Sequence, residues 1–316
     1  MNAIEWFTQI LEVAAALAAA PLFGGWVGQC RAWLQNRRAP SIFQVYRGIR
    51  KLFHKDALIA SEASPLFRAA PYVVFGTMVA AAAIIPSMGT HLPFGSAADA
   101  IALVGLFATA RMFLALAAMD IGTPFGTLGA RREMMVGFLA EPALLMVIFV
   151  ASLISMTTAL PLISERLMTQ SLTLSPSLAF TGVAFTMVLL AENARIPIDN
   201  PATHLELTMI HEAMLLEYSA RHLALIEWAA ALKLFNYACI GFALFIPWGA
   251  ATGDAGPLGL LAAIPVLALK LGLSGAALAL IETVSAKLRV FRAPEFLATA
   301  FLFAVLGLLV HILLGA

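Results

Sequence analysis

Apolar residues run in long blocks along this chain, and polar residues gather in the gaps. The blocks lie near 8–28, 69–89, 98–119, 134–157, 177–194, 223–247, 256–281 and 295–314. A helix needs about 20 apolar residues to cross the hydrocarbon core of a bilayer, and each block approaches that length. We therefore expect an all-α polytopic membrane helix bundle of about eight transmembrane helices, with 1–316 forming a single integral membrane domain. One gap has a pattern of its own. Ile42, Tyr46, Ile49 and Phe53 recur at helical spacing with Val45 and Leu52 beside them, while Arg47, Arg50, Lys51 and Lys55 fill the rest. That pattern predicts an amphipathic helix lying in the membrane interface; an ordinary basic flank to a membrane span is the plainer reading.

Composition agrees with the blocks. The chain is 61% hydrophobic with a mean hydropathy of +0.92, and only 12% of residues are charged. Soluble domains carry roughly 25% charged residues. The first block lacks the basic n-region of a signal peptide, since Glu5 and Glu12 precede the first basic residue, Arg31. It is read as the first span, with both acids at the interface.

Basic residues sort by loop. Fifteen of the nineteen Lys and Arg fall on one side: eight in 31–68, then Arg131, Arg132, Arg195, Arg221, Lys287, Arg289 and Arg292. The opposite side has Arg166. By the positive-inside rule the basic loops are cytoplasmic and both termini lie outside. A net charge of +1 and the lack of a basic patch with interleaved aromatics give no footing for nucleic acid. The two cysteines, Cys30 and Cys239, are too few for an iron–sulfur cluster, which takes four cysteine ligands. Any redox centre then belongs to another chain.

The gap after the fifth block is acidic. Residues 191–219 read AENARIPIDNPATHLELTMIHEAMLLEYS and hold five carboxylates: Glu192, Asp199, Glu206, Glu212 and Glu217. Pro197 and Pro201 stop the preceding helix, because proline lacks the amide donor and clashes with the turn before it. From Ala202 onward Leu205, Met209 and Leu216 fit a helix, with Glu206 and Glu217 eleven residues apart on one face and Glu212 elsewhere. His211 and Glu212 begin a zinc-like HExxH, but Leu215 replaces the second histidine, so no metal site is expected.

Charges also interrupt the apolar blocks: Arg111, Glu141, Glu227, Lys233 and Lys270. Each costs about 2.5–3.5 kcal/mol at the centre of a span unless paired or hydrated, and such residues mark ion or proton paths by default. Structural ion pairs between helices are the plainer alternative. A carboxylate that carries protons must titrate near neutrality; burial in a bundle favours that, and a neighbouring Arg or Lys opposes it.

These residues also carry a resemblance. Ala191, Glu192, Arg195, Pro197, Asp199, Pro201, Glu206 and Leu207 match, without gaps, the pattern AExNRxPxDxPxxxxEL of the respiratory complex I membrane subunit called subunit 1. Glu217-Tyr218-Ser219 resembles the EYS that follows it. Gln44, Lys51, Leu52, Phe53, Lys55 and Asp56 resemble that family's Q…KLFxK[E/D], and Glu141 sits where it has a glutamate. The chain departs where complex I has acids, at Ala202, His204 and Gly48, and its Glu206–Glu217 interval is three residues longer. The stretches THLELTMIHEAMLLEYS and ETVSAKLRVFRAPEFL resemble instead the membrane subunit of group 4 [NiFe]-hydrogenases, of the formate hydrogenlyase and hydrogenase-4 anchor type.

The resemblance implies a non-catalytic membrane subunit in a prokaryotic cytoplasmic membrane. It would anchor a peripheral redox arm and couple electron transfer to proton or sodium movement. It implies no cofactor in this chain, with the [NiFe] centre and iron–sulfur clusters in a large subunit and iron–sulfur subunits on the cytoplasmic side, and antiporter-like membrane subunits alongside in the bilayer. Glu141, Glu192, Asp199, Glu206, Glu212, Glu217, Arg111, Lys233 and Lys270 are the ion-coupling candidates. Arg195, Pro197, Pro201, Gln44 and Lys51 are the docking candidates, with Arg195 placed to pair with Asp199 or a partner carboxylate. A quinone-binding complex I subunit, a standalone ion transporter and a passive anchor are the rival readings. Transporters usually show internal repeats, and the two halves here show none.

Overall fold

The structure is a computed structural model describing residues 3–60, 62–90, 93–94, 99–169, 176–199, 209–252, 256–286, 288 and 292–314. Among these residues there are eleven helices and no strand. Each apolar block has become a helix: α1 (Ala3–Leu34), α3 (Pro65–Ile84), α4 (Ala100–Asp120), α5 (Pro124–Ser155), α7 (Pro176–Glu192), α9 (Ala220–Phe245), α10 (Gly256–Val284) and α11 (Ala293–Leu314). Seven are long and apolar enough to span a bilayer, and α7 is a shorter apolar helix. The chain is a multi-pass membrane protein.

The amphipathic segment is α2 (Gln44–Phe53). Its Ile49 is buried, and Arg47, Arg50 and Lys51 are exposed. The Phe53 ring meets Trp228 of α9 edge-on at 6.5 Å, and the Tyr46 hydroxyl donates to the Ala18 carbonyl of α1. Gly25 permits this seating, because a Cβ there would stand 2.0 Å from the Ile42 carbonyl oxygen.

One short helix went unforeseen: α6 (Leu160–Thr169), which lies between α5 and α7; a second, α8 (His211–Leu215), precedes α9. The helix expected from Ala202 onward is, in its described part, only the five residues of α8. Glu217 lies beyond it in an exposed turn. Glu206 and Pro201 lie outside the described residues. Tyr218 explains why the chain breaks there. It stacks on Phe67 at 4.1 Å and its hydroxyl donates to the Phe67 carbonyl at 3.1 Å, tying the start of α9 to α3. Burial first, then the Asp120 carboxylate, push its phenol well above the ordinary range, so it stays a donor.

α9 is the central helix, with 61% of its span buried, whereas α10 and α11 reach only 17% and 22%. α3 packs against α4 and α9, and α5 against α4, α7 and α11. α10 leans on α1 and barely touches α9. Buried alanines line the contacts, among them Ala70, Ala81, Ala117, Ala130, Ala140, Ala184 and Ala229. Lipid tails are as apolar as leucine, so helices associate in a bilayer by close van der Waals approach, which small side chains allow.

The loops rich in basic residues share one end of the bundle, called here the basic end. At the other end Ala251 N–H donates to Met88 O at 2.7 Å and Thr90 N–H to Ala251 O at 3.0 Å, joining two loops. Glu12 of α1 sits under this junction and accepts from Gly89 N–H at 2.7 Å and from the Ser87 hydroxyl at 3.2 Å. It is 1% exposed, so it is an internal acceptor rather than an interfacial charge. The side chain of Glu5 lies outside the described residues.

Candidate functional site: a buried charge cluster

Arg111, in the middle of α4, is the hub. α5 meets it with Glu133, Gly137 and Glu141, spaced one turn apart on one face. Gly137 makes room: a Cβ there would lie 2.2 Å from Arg111 Nη1. The guanidinium donates to Glu141 through Nη1 and to Glu192 through Nη2, and its Nε stands 3.7 Å from Glu133. From α9, Lys233 Nζ approaches the other Glu192 oxygen at 2.9 Å. The Glu192 side chain is 1% exposed and that of Glu141 34%. Three carboxylates thus share two cations across four helices. Pairing is what makes these charges tolerable so deep in an apolar bundle.

The cluster has a floor and an opening. Tyr237, one turn past Lys233 and fully buried, stacks with Phe107 at 4.9 Å and Phe185 at 6.3 Å, closing the apolar side. Toward the basic end lies a cavity of about 430 Å³, whose walls include Arg31, Arg111, Glu133, Glu192, Arg195, Asp199, Glu212, Glu227 and Lys233.

The turn after Glu192 shapes this cavity. α7 ends at Glu192, before Pro197 is reached. Ala194 takes a left-handed φ of 49°, its N–H donates to Ala191 O at 3.2 Å, and Arg195 N–H donates to Leu190 O at 2.9 Å. That is a Schellman stop, formed without the usual glycine. The prolines follow the stop rather than cause it. Arg195 then reaches the carboxylate of Glu282 in α10 at 3.1 Å, and Arg31 of α1 reaches its other oxygen at 3.5 Å. The intramolecular partner of Arg195 is thus Glu282, while Asp199 accepts from His211 N–H at 3.2 Å.

The structure therefore gathers some candidates and separates others. Arg111, Glu141, Glu192 and Lys233 form the cluster, and Asp199 and Glu212 line the cavity above it. Lys270 stands apart: its Nζ donates to Ile246 O at 2.6 Å and lies 5.8 Å from the Phe242 ring. Pro197 offers its carbonyl to Leu288 N–H at 2.8 Å. Gln44 and Lys51 are exposed on α2. Glu133 and Glu282 were not anticipated. The Glu133–Gly137–Glu141 spacing was a usable signal for the first, and Glu282 opens the ETVSAKLRVFRAPEFL stretch, where nothing pointed to its arginine partners. Among the described residues no group of three or more His, Cys, Asp or Glu could hold a metal ion.

The pattern of the NADH dehydrogenase family matches residues 8–313. This chain belongs to that family. Formate hydrogenlyase subunit 4 of Escherichia coli K12 is 33% identical over 94% of this chain and 96% of its own length. Hydrogenase-4 component C of the same organism is 36% identical over 77% of this chain and 76% of its own. The fold is also that of a chain in the membrane-bound sulfane sulfur reductase, an archaeal respiratory membrane complex. That match has a TM-score of 0.83 at 18% identity, covering 96% of this chain and 97% of the other.

Proposed function

We propose that this chain is the membrane anchor and ion-coupling subunit of a complex-I-related [NiFe]-hydrogenase of the formate hydrogenlyase type. It sits in a prokaryotic cytoplasmic membrane with its basic end inward and both termini outside. A large subunit and iron–sulfur subunits carrying the [NiFe] centre and clusters dock on the basic end, and antiporter-like membrane subunits lie alongside. The two relatives at 33% and 36% identity favour the hydrogenase reading over the quinone one.

One observation carries the coupling role. Glu192 holds Arg111 and Lys233 at its carboxylate and also ends α7 at the turn that faces the docking side. A redox-driven shift of that turn would change which cation Glu192 faces, and so which carboxylate of the cluster holds a proton. Glu133, Glu141 and Glu192 share two cations, so the cluster holds one carboxylate more than it has cations.

Glu192→Gln and Glu141→Gln keep shape while removing a titratable group. In the whole complex in sealed vesicles both should leave assembly intact and lower ion movement per hydrogen turned over. Normal coupled ion movement in both variants would reduce the cluster to structural ion pairs.

A further inference from the structure

Glu282 is a buried carboxylate that the coupling reading does not use. It is 3% exposed and lies in the last turn of α10. Arg195 reaches one of its oxygens at 3.1 Å and Arg31 the other at 3.5 Å. Both arginines line the cavity above the charge cluster. One side chain therefore ties together α1, α10 and the turn at 193–199.

The mechanical setting gives this node its meaning. α10 is an edge helix, held along α1 by contacts such as the Trp26 indole N–H donating to Gly272 O at 2.9 Å. Its basic end meets the 193–199 turn through Glu282 and through Leu288 N–H donating to Pro197 O. The turn is stiff, because Ala194 and Arg195 are hydrogen-bonded back onto α7. A displacement of Arg195 is thus passed to the end of α7, where Glu192 stands between Arg111 and Lys233.

We propose that Glu282 is a positioning residue for ion coupling: it clamps the Arg195 turn to α1 and α10 and so sets where Glu192 meets its two cations. The inference rests on the coupling reading above. Its physical basis is charge balance. Arg31 and Arg195 converge on one carboxylate, and neutralising that carboxylate leaves two like charges facing each other, which drives the turn away from α10.

The test uses the whole complex in sealed vesicles, with hydrogen turnover, ion uptake and arm retention measured together. Glu282→Gln should retain the arm and the hydrogen turnover, while ions moved per hydrogen fall about fivefold or more, the lower end of coupling between sites. The double variant Glu282→Gln with Arg31→Gln removes the repulsion along with the clamp and leaves the docking candidate Arg195 in place, so it assembles even if the single variant does not, and its ratio should fall equally. Less complex with a normal ratio in what remains, or an unchanged ratio in the double variant, would overturn the proposal. If Glu192→Gln lowers the ratio while the Glu282 variants do not, only the clamp is wrong. If none of them lowers it, the coupling reading itself fails.

Discussion

α7 and α9 together line two cavities, one toward each end of the bundle. The one at the basic end measures about 430 Å³ and has Glu192, Lys233, Arg195 and Asp199 in its walls. The other is larger, about 700 Å³, and is bounded by Phe185, Leu189, Phe242, Phe245, Trp248 and Leu278, with Thr186, Ser274, Tyr237 and His311 as the polar exceptions. The border runs through single turns of helix. On α9, Lys233 serves one cavity, Tyr237 the other and Leu234 both; on α7, Leu189 and Glu192 divide in the same way. Size would pick the apolar cavity as the site. Energy picks the smaller one, because charges are kept at depth only where partners and function repay about 2.5–3.5 kcal/mol each.

That contrast can be broken at Arg111 with the largest effect. Arg111→Leu removes two of the hub's charge-assisted bonds and leaves Glu192 with Lys233 alone. Losing one partner of a buried pair costs about 3–5 kcal/mol. The variant should accumulate poorly in membranes and unfold at clearly lower temperature in detergent. Wild-type accumulation and melting would show that the cluster is far wetter than its burial indicates.

Gly137→Val is the next step down. It keeps every charge and fills the space Arg111 occupies, which overpacking arguments put at about 1–3 kcal/mol. The chain should still assemble, with ion movement per hydrogen reduced because the guanidinium is pushed off Glu141. A fully coupled Gly137→Val complex would mean that Arg111 has room elsewhere and that the α4–α5 face is not what positions it.

At the small end stands Thr186→Leu, in the wall of the apolar cavity. Substitutions away from buried networks usually fall within about 0.5 kcal/mol. Assembly, melting temperature and ion coupling should all stay at wild-type levels. A loss of coupling there, with assembly intact, would erase the distinction between the two cavities.

Legibility followed the same division. Hydropathy located all eight apolar helices, and helical spacing located α2, because bilayer thickness and amphipathic periodicity act on short stretches of chain. Arg111, Glu141 and Lys233 were visible as charges inside apolar blocks, and Glu192 as the first acid of the gap after the fifth. Lys270 looked identical to them by that criterion and proved to hold a carbonyl at the opposite side of the fold. Glu282 sits in the last turn of α10, where a charge is cheap, and Glu133 stands one residue before the apolar block at 134–157. Arg195 has Asp199 four residues away in sequence, yet it takes a carboxylate 87 positions distant.

The sequence by itself determined that this is a membrane bundle, how many apolar helices it has, where its basic loops lie and which of its charges are expensive. Those are properties of single segments in contact with lipid or water. Only the tertiary structure decided which charges meet. An ion pair depends on where four helices bring their side chains, on a glycine that clears space for a guanidinium, and on a turn that points one arginine across the bundle. No short stretch of chain contains that information.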